Sequence, residues 1–209
     1  MAHLKRSRTA LFLACGLLIA AALGTGIRHV AAGPASFHGT TYDDVSAAPD
    51  FALIDHDGRP VTLASYRGHP VLLFFGYTRC PDVCPLTLDK IRRSLAALGG
   101  GADDVRVLLV TNDPARDTPV VLRDYTARFG PRVVGLTGDS VALERARAGY
   151  GAYFMPAAAH EHGAAPARMM AHSSVVYGID RAGNLQVVIP EGVKQESLTD
   201  DVRTLARIR

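Results

Sequence analysis

The residues most able to do chemistry are Cys80 and Cys84, in the segment Thr78-Arg79-Cys80-Pro81-Asp82-Val83-Cys84-Pro85. Three residues separate them, and a proline follows each. Two thiols so spaced can close a disulfide, exchange disulfides with another protein, or hold a soft metal ion such as Cu(I) or Zn. A purely structural disulfide would contribute little, because so short a loop hardly restrains the unfolded chain. Thiol redox chemistry and metal binding with linked redox both stay open. Two thiolates rarely complete a metal site, so the second reading requires a third ligand. Among the eight histidines, His172 stands just ahead of the apolar run Val175-Val176-Tyr177. His3, His29 and His38 fall in the amino-terminal segment, and His56 and His69 fall near turns, where a surface position is expected.

The surrounding elements place these residues. Val71-Leu72-Leu73-Phe74-Phe75 is a continuous apolar run, as expected of a strand covered on both faces. From Leu86 to Leu98 the apolar residues 86, 88, 91, 95 and 98 keep a helical spacing. The thiols therefore lie on a strand-to-helix turn, near the helix end whose peptide dipoles favour anions. Their pKa values are expected to fall. Upstream, Phe51 to Ile54 and Val61 to Leu63 flank Asp57-Gly58 and predict a hairpin. Downstream, Val105 to Val110 is a strand, and Thr118-Pro119 caps and opens a helix to about Phe129. Val133 to Leu136 is a short strand, Ser140 to Tyr150 a helix, and Ser174 to Ile179 and Leu185 to Ile189 a strand–turn–strand unit. Glu196 to Ile208 makes the last helix.

This order predicts an α/β class and a thioredoxin-like fold: a central mixed sheet flanked by helices, with an N-terminal β-hairpin extension. In such a fold the strand starting near residue 174 begins beside the Cys turn, which points to His172 as the third ligand. Thioredoxins usually place a cis-proline there; this chain has Ala171-His172. Asp82 reads as a solvated acid or helix-start residue, and Asp113, Arg116 and Asp117 as braces for the loop. The Ala-rich stretch Tyr153 to Met170 contains His160 and His162 and reads as a mobile surface loop. Met155, Met169 and Met170 read as gap-filling core rather than a second metal site.

Length and charge narrow the class further. A chain of 209 residues, 48 % hydrophobic and 21 % charged, suits one domain with extras and is neither disordered nor a many-span membrane protein. The formal net charge of +3 is unevenly placed. Lys5, Arg6, Arg8 and Arg28 lie in residues 1–30 without any acid, and residues 31–209 carry 19 bases against 20 acids, a net of −1. A nucleic-acid binder would keep a basic excess on its folded part, so that class is set aside. Thr9 to Ile27 is an uncharged run of 19 residues, roughly 28 Å as a helix and close to the hydrocarbon thickness of a bilayer. The preceding positive charges keep the amino end inside and direct the rest outward. Residues 1–30 therefore read as a single N-terminal signal anchor in the cytoplasmic membrane, with a cleaved signal peptide ending at Val30-Ala31-Ala32 as the alternative. Cys15, inside the run, reads as an inert thiol. Residues 31–47 read as a flexible linker, and 48–209 as the folded domain on the periplasmic, extracytoplasmic side.

Several motifs, in order, carry a family resemblance: Gly76-Tyr-Thr-Arg-Cys-Pro-Asp-Val-Cys-Pro85, Asp113-Pro-Ala-Arg-Asp-Thr-Pro119, Phe129-Gly-Pro-Arg132, Gly135-Leu-Thr-Gly138 and His172-Ser-Ser. Over roughly residues 48–208 the chain resembles the SCO/SenC family of copper-binding, thioredoxin-like assembly proteins. The resemblance implies one copper per monomer, as Cu(I) or Cu(II), on Cys80, Cys84 and His172. It also implies a part in building the dinuclear CuA centre of cytochrome c oxidase, by copper delivery, by reduction of the target cysteines, or both. Cys80 and Cys84 would be the redox-active pair, able to form a disulfide. The implied partners are the copper-bearing oxidase subunit, an upstream copper donor and a thioredoxin-like reductant. Such a protein is a metallochaperone more than an enzyme. Two positions depart from the pattern: Ala171 stands where members often have Asp, and Asn112 where a hydrophobic residue is common. The competing functions are a metal-free thiol–disulfide oxidoreductase outside the cytoplasm, and a copper or redox sensor.

Overall fold

The six residues of β4 (Val71–Gly76) are all buried, because the strand runs through the middle of a sheet covered on both faces. The structure is a computed structural model and describes residues 36–42, 44–155, 171–172 and 174–208. The expected anchor and the His160 and His162 stretch lie outside the described residues. Among the described residues, no helix is long and apolar enough to cross a membrane.

Around β4 the chain forms β1 (Ser46–Ala47), β2 (Ala52–Asp55), β3 (Pro60–Thr62), α1 (Val83–Leu98), β5 (Arg106–Thr111), α2 (Pro119–Ala127), β6 (Val133–Thr137) and α3 (Ser140–Gly149). It continues with β7 (Phe154–Met155), β8 (Ala171–His172), β9 (Val175–Ile179), β10 (Asn184–Pro190) and α4 (Gln195–Arg207). The main sheet has the order β1-β10-β9-β4-β5-β6-β2-β3, and β7 and β8 form a separate pair. β4, β5 and β6 run parallel, joined by crossovers through α1 and α2. β9 and β2 pair antiparallel to β4 and β6 and make the sheet mixed. This is the thioredoxin-like fold with its hairpin extension, β2–β3.

Alternation along β4 sorts the core into two faces. Leu72 and Phe74 join α1 and α4, whose Leu88, Ile91, Leu95, Leu198, Val202 and Leu205 are buried on that side. Leu73 and Phe75 join Leu143, Ala146 and Tyr150 on the other. Two details differ from the sequence expectation. The first helix starts at Val83, three residues early, and Leu86 is 57 % exposed while Cys84 and Thr87 take the inward positions. β1, β7 and β8 have two residues each, too short to leave a periodic pattern in the sequence.

At the β2–β3 turn the Asp55 carboxylate accepts from the backbone N–H groups of Asp57 and Arg59, both at 2.8 Å, while Gly58 takes φ 80°. At the opposite sheet edge the early chain is fastened to the domain. Thr40 and Val188 exchange backbone hydrogen bonds of 2.9 and 2.8 Å. The buried Asp201 carboxylate of α4 accepts from the N–H of His38 at 2.7 Å and of Gly39 at 3.1 Å.

Burial pushes the phenols of Tyr66 and Tyr177 up to about 12 from an ordinary 10.0. Above pH 10 the unfolded chain releases protons that the folded chain keeps. Stability is therefore complete below about pH 10 and declines as pH rises towards about 12. Urea unfolding midpoints should fall across that interval, less steeply for Tyr66→Phe.

Candidate thiol site

β4 ends at Gly76, and the chain turns through Tyr77, Thr78 and Arg79 into Cys80, whose N–H donates to the Tyr77 carbonyl at 3.3 Å. Asp82 holds the N-cap position of α1; it is exposed, and its carbonyl accepts from Leu86 N–H at 3.2 Å. That fits the helix-start reading. Cys84 lies in the first turn, and its N–H donates to Cys80 Sγ at 3.4 Å. Both residues are thiols here, Cys84 fully buried and Cys80 9 % exposed. Gly76 makes room for them: a Cβ there would fall 3.0 Å from Cys84 Sγ, 2.8 Å from Phe74 Cε1 and 3.1 Å from Leu109 Cδ1.

The loop is held from below by Asp117, which is fully buried. Its carboxylate accepts from Thr78 N–H at 3.1 Å, Thr78 Oγ1 at 2.6 Å and Thr111 Oγ1 at 2.6 Å. The Thr111 hydroxyl in turn accepts from Asp113 N–H at 2.9 Å, and Arg116 pairs with the Asp113 carboxylate. The bracing expected of Asp113, Arg116 and Asp117 is therefore present. Thr78 and Thr111, which complete it, carried no sequence signal of their own. The next residue, Thr118, caps α2, its side chain accepting from Val121 N–H.

The electrostatics correct one expectation. The helix terminus was expected to lower both thiols, yet Cys84 is pushed far above its ordinary value by its hydrogen bond to Cys80 and by burial. The dipole of one helical turn does not offset a sulfur neighbour in an apolar pocket. Cys80 Sγ is the sulfur that accepts a backbone N–H, from Cys84 in the first turn of the helix.

His172 enters through the sheet register. β9 runs antiparallel to β4, from Ile179 opposite Val71 to Val176 opposite Phe74. The chain just ahead of β9 therefore arrives at the end of β4 from which the Cys loop departs. In β8 His172 pairs with Phe154, and Phe154 packs against the cluster that contains Cys80 and Cys84. The His172 side chain lies outside the described residues. Among the described residues, no group of three His, Cys, Asp or Glu side chains stands close enough to hold a metal ion. His56, expected at the surface, is half-buried, and its Nδ1 accepts from Gly135 N–H at 3.1 Å. Sequence reasoning also missed Tyr77 and Tyr125, buried in the same cluster as the two cysteines.

A mixed sheet with a thiol pair on the turn from its central strand to its first helix defines a thioredoxin-like protein with a CxxxC site. Within that class the SCO1/SenC sequence profile matches residues 40–207, and the chain belongs to the SCO1/SenC family. It is 34 % identical over 141 residues to an SCO2-like protein of Rickettsia conorii, covering 68 % of each chain. The copper-bound ScoI of Bradyrhizobium japonicum superposes with TM-score 0.66 at 32 % identity, covering 77 % of this chain and 99 % of that one. BsSco, a member of the Sco family of cytochrome c oxidase assembly proteins with a disulfide switch, shares the fold at TM-score 0.59 and 20 % identity, covering 82 % of this chain and 98 % of that one.

Two substitutions test the geometry. Gly76→Ala should cost about 1–3 kcal/mol in chemical denaturation, since Phe74 and Cys84 must both give way. Asp117→Ala should cost about 2–4 kcal/mol, because one buried and two part-buried donors lose their acceptor. It should also speed reaction of Cys80 with a thiol reagent as the loop loosens.

Proposed function

We propose that this chain is a membrane-tethered copper carrier that serves cytochrome c oxidase assembly, taking one copper on Cys80, Cys84 and His172. The single observation that carries the reading is the juxtaposed sulfur pair at the start of α1. The β9 register directs the His172 strand to that same end of the sheet. Family membership, the copper-bound ScoI relative and the assembly role of BsSco's family support it.

The donor set suits the cargo. Two thiolates and an imidazole match Cu(I), and imidazole serves Cu(II) as well. Loading requires both thiols to lose their protons, and for Cys84 its hydrogen bond to Cys80 and burial oppose that loss. Uptake therefore releases protons and weakens as pH falls. Cys80, with 9 % exposure against none for Cys84, is the sulfur that a partner thiolate reaches first. Handover to the copper-bearing oxidase subunit proceeds by ligand exchange starting there. The upstream copper donor would meet the same edge. The N-terminal anchor would hold the domain at the periplasmic face of the cytoplasmic membrane.

The thiol pair favours a second reading, reduction of the target's cysteines. Cys80 thiolate attacks a target disulfide and releases one target thiolate. Cys84 thiolate then displaces the second, leaving a Cys80–Cys84 disulfide for a thioredoxin-like reductant to reopen. Two electrons pass to the target and two protons follow.

Anaerobic titration of the reduced protein with Cu(I) tests the first reading. One tight equivalent is expected, abolished by Cys80→Ala and weakened at least about 100-fold by His172→Ala, since losing a ligand costs no less than losing a group that only orients one. Disulfide turnover that survives His172→Ala, without copper binding, would instead establish the metal-free oxidoreductase.

A further inference from the structure

The surface beside α2 carries two joined hollows. The first, of about 440 Å³, is lined by Thr78, Val121, Asp124, Tyr125 and Arg128. The second, of about 290 Å³, lies between α1 and the turn into β6, against Arg92, Ala96, Arg128, Phe129, Pro131 and Arg132. Arg128 lines both, so they form one groove. It begins at Thr78, two residues ahead of Cys80, and ends at the motif Phe129-Gly130-Pro131-Arg132, which has no part in the thiol site.

Two guanidiniums are held in place at the far end. Arg128 donates from Nε to the Tyr125 carbonyl at 3.3 Å and lies 4.5 Å from the centroid of the Tyr125 ring. Arg132 donates from Nη1 to the Ala102 carbonyl at 2.7 Å. Main-chain carbonyls thus orient both forks and leave their other N–H groups to meet an oxyanion. Among the described residues no carboxylate pairs with Arg128, and Arg132 has only Asp103, at 3.7 Å and 74 % exposed. Arg92, on the α1 wall, is already bonded to Asp89 at 2.7 and 2.9 Å.

An oxyanion at that end lies over the apolar surface of Ala96, Phe129 and Pro131. Val121 to Arg128 measures about 10 Å along the helix, the length of about three extended residues. Asp124 repels acid in the first hollow, so the neutral part of a ligand runs there, past Val121 and Tyr125 to Thr78. We propose that the groove takes an extended, apolar segment of a partner protein, with one acidic side chain seated against Arg128 and Arg132. Continuity with the edge of the cysteine loop favours a protein segment over a lipid headgroup, which the far end alone would satisfy. That this partner is the one served at Cys80 rests on the reading above; the groove and its charge preference do not.

The test uses the full-length, reduced, metal-free protein in neutral detergent. The probe is a rhodamine-labelled, end-blocked octapeptide of alternating leucine and serine with one central glutamate, followed by anisotropy. Saturable binding is expected with a dissociation constant below about 1 mM. It should weaken about tenfold when glutamine replaces the glutamate, and about tenfold for Arg128→Glu or Ala96→Glu. Ala96 is exposed on α1, so its variant keeps the test valid should Arg128→Glu unfold. Arg59→Glu, at the β2–β3 turn, should bind as the parent does; an equal loss there would mean that net charge alone matters, and overturns the proposal. So does a parent that binds neither peptide, equal binding of both, or undiminished binding by Ala96→Glu. Displacement of the probe by dihexanoyl phosphatidylglycerol at lower concentration than by unlabelled peptide would assign the groove to lipid headgroups, and also overturns it. A parent that takes up no Cu(I) yet shows the expected peptide pattern would remove the copper reading and leave the groove standing.

Discussion

The buried carboxylate of Asp117 is the constraint on which the thiol site depends. Its two oxygens take a backbone N–H and a hydroxyl from Thr78, on the loop leaving β4, and a hydroxyl from Thr111, at the end of β5. One residue on, Thr118 caps α2. A single side chain thus fixes the loop that carries Cys80, the neighbouring strand end and the start of the helix that carries Tyr125. All three of its donors are neutral, so the charge is held by oriented dipoles rather than by an ion pair. The Asp113–Arg116 pair stands beside this arrangement, closer to solvent.

Above that base, the sulfur pair is shaped more by what is missing than by what is added. The absent side chain of Gly76 leaves the space that Cys84 fills, and the first helical turn brings its N–H onto Cys80. Burial makes the two sulfurs unequal. Cys84 faces the apolar core, while Cys80 lies at the rim. A thiol pair with one partner accessible and one protected is suited to stepwise exchange, in which the outer atom engages first and the inner one completes the reaction.

Much of this was legible in the sequence, for reasons that particular residues make plain. Val71 to Phe75 read as a two-sided strand because every position is apolar, and Thr118-Pro119 read as a helix start because their side chains act locally. The hairpin at Asp57-Gly58 was visible for the same reason. What escaped notice depended on distant parts of the chain. Leu86 looked like a core position by spacing alone, but the helix begins earlier and turns Cys84 and Thr87 inward instead. The fall expected for both thiols followed from the helix end; the hydrogen bond and burial that reverse it for Cys84 exist only once the core has closed around it. Thr111, Tyr125 and the β7–β8 pair likewise draw their meaning from neighbours that sequence order does not reveal.

The attachment of the early chain has a mechanical side. Thr40 is cross-bonded to Val188 on β10, and Asp201 grips the N–H groups of His38 and Gly39. A tension applied at residue 36 is therefore borne in shear by the edge of the sheet and by α4. β9 stands between that edge and β4, from which the cysteine loop leaves. The load path and the reactive loop run through different elements: β10 and α4 take the first, and the second leaves the end of β4.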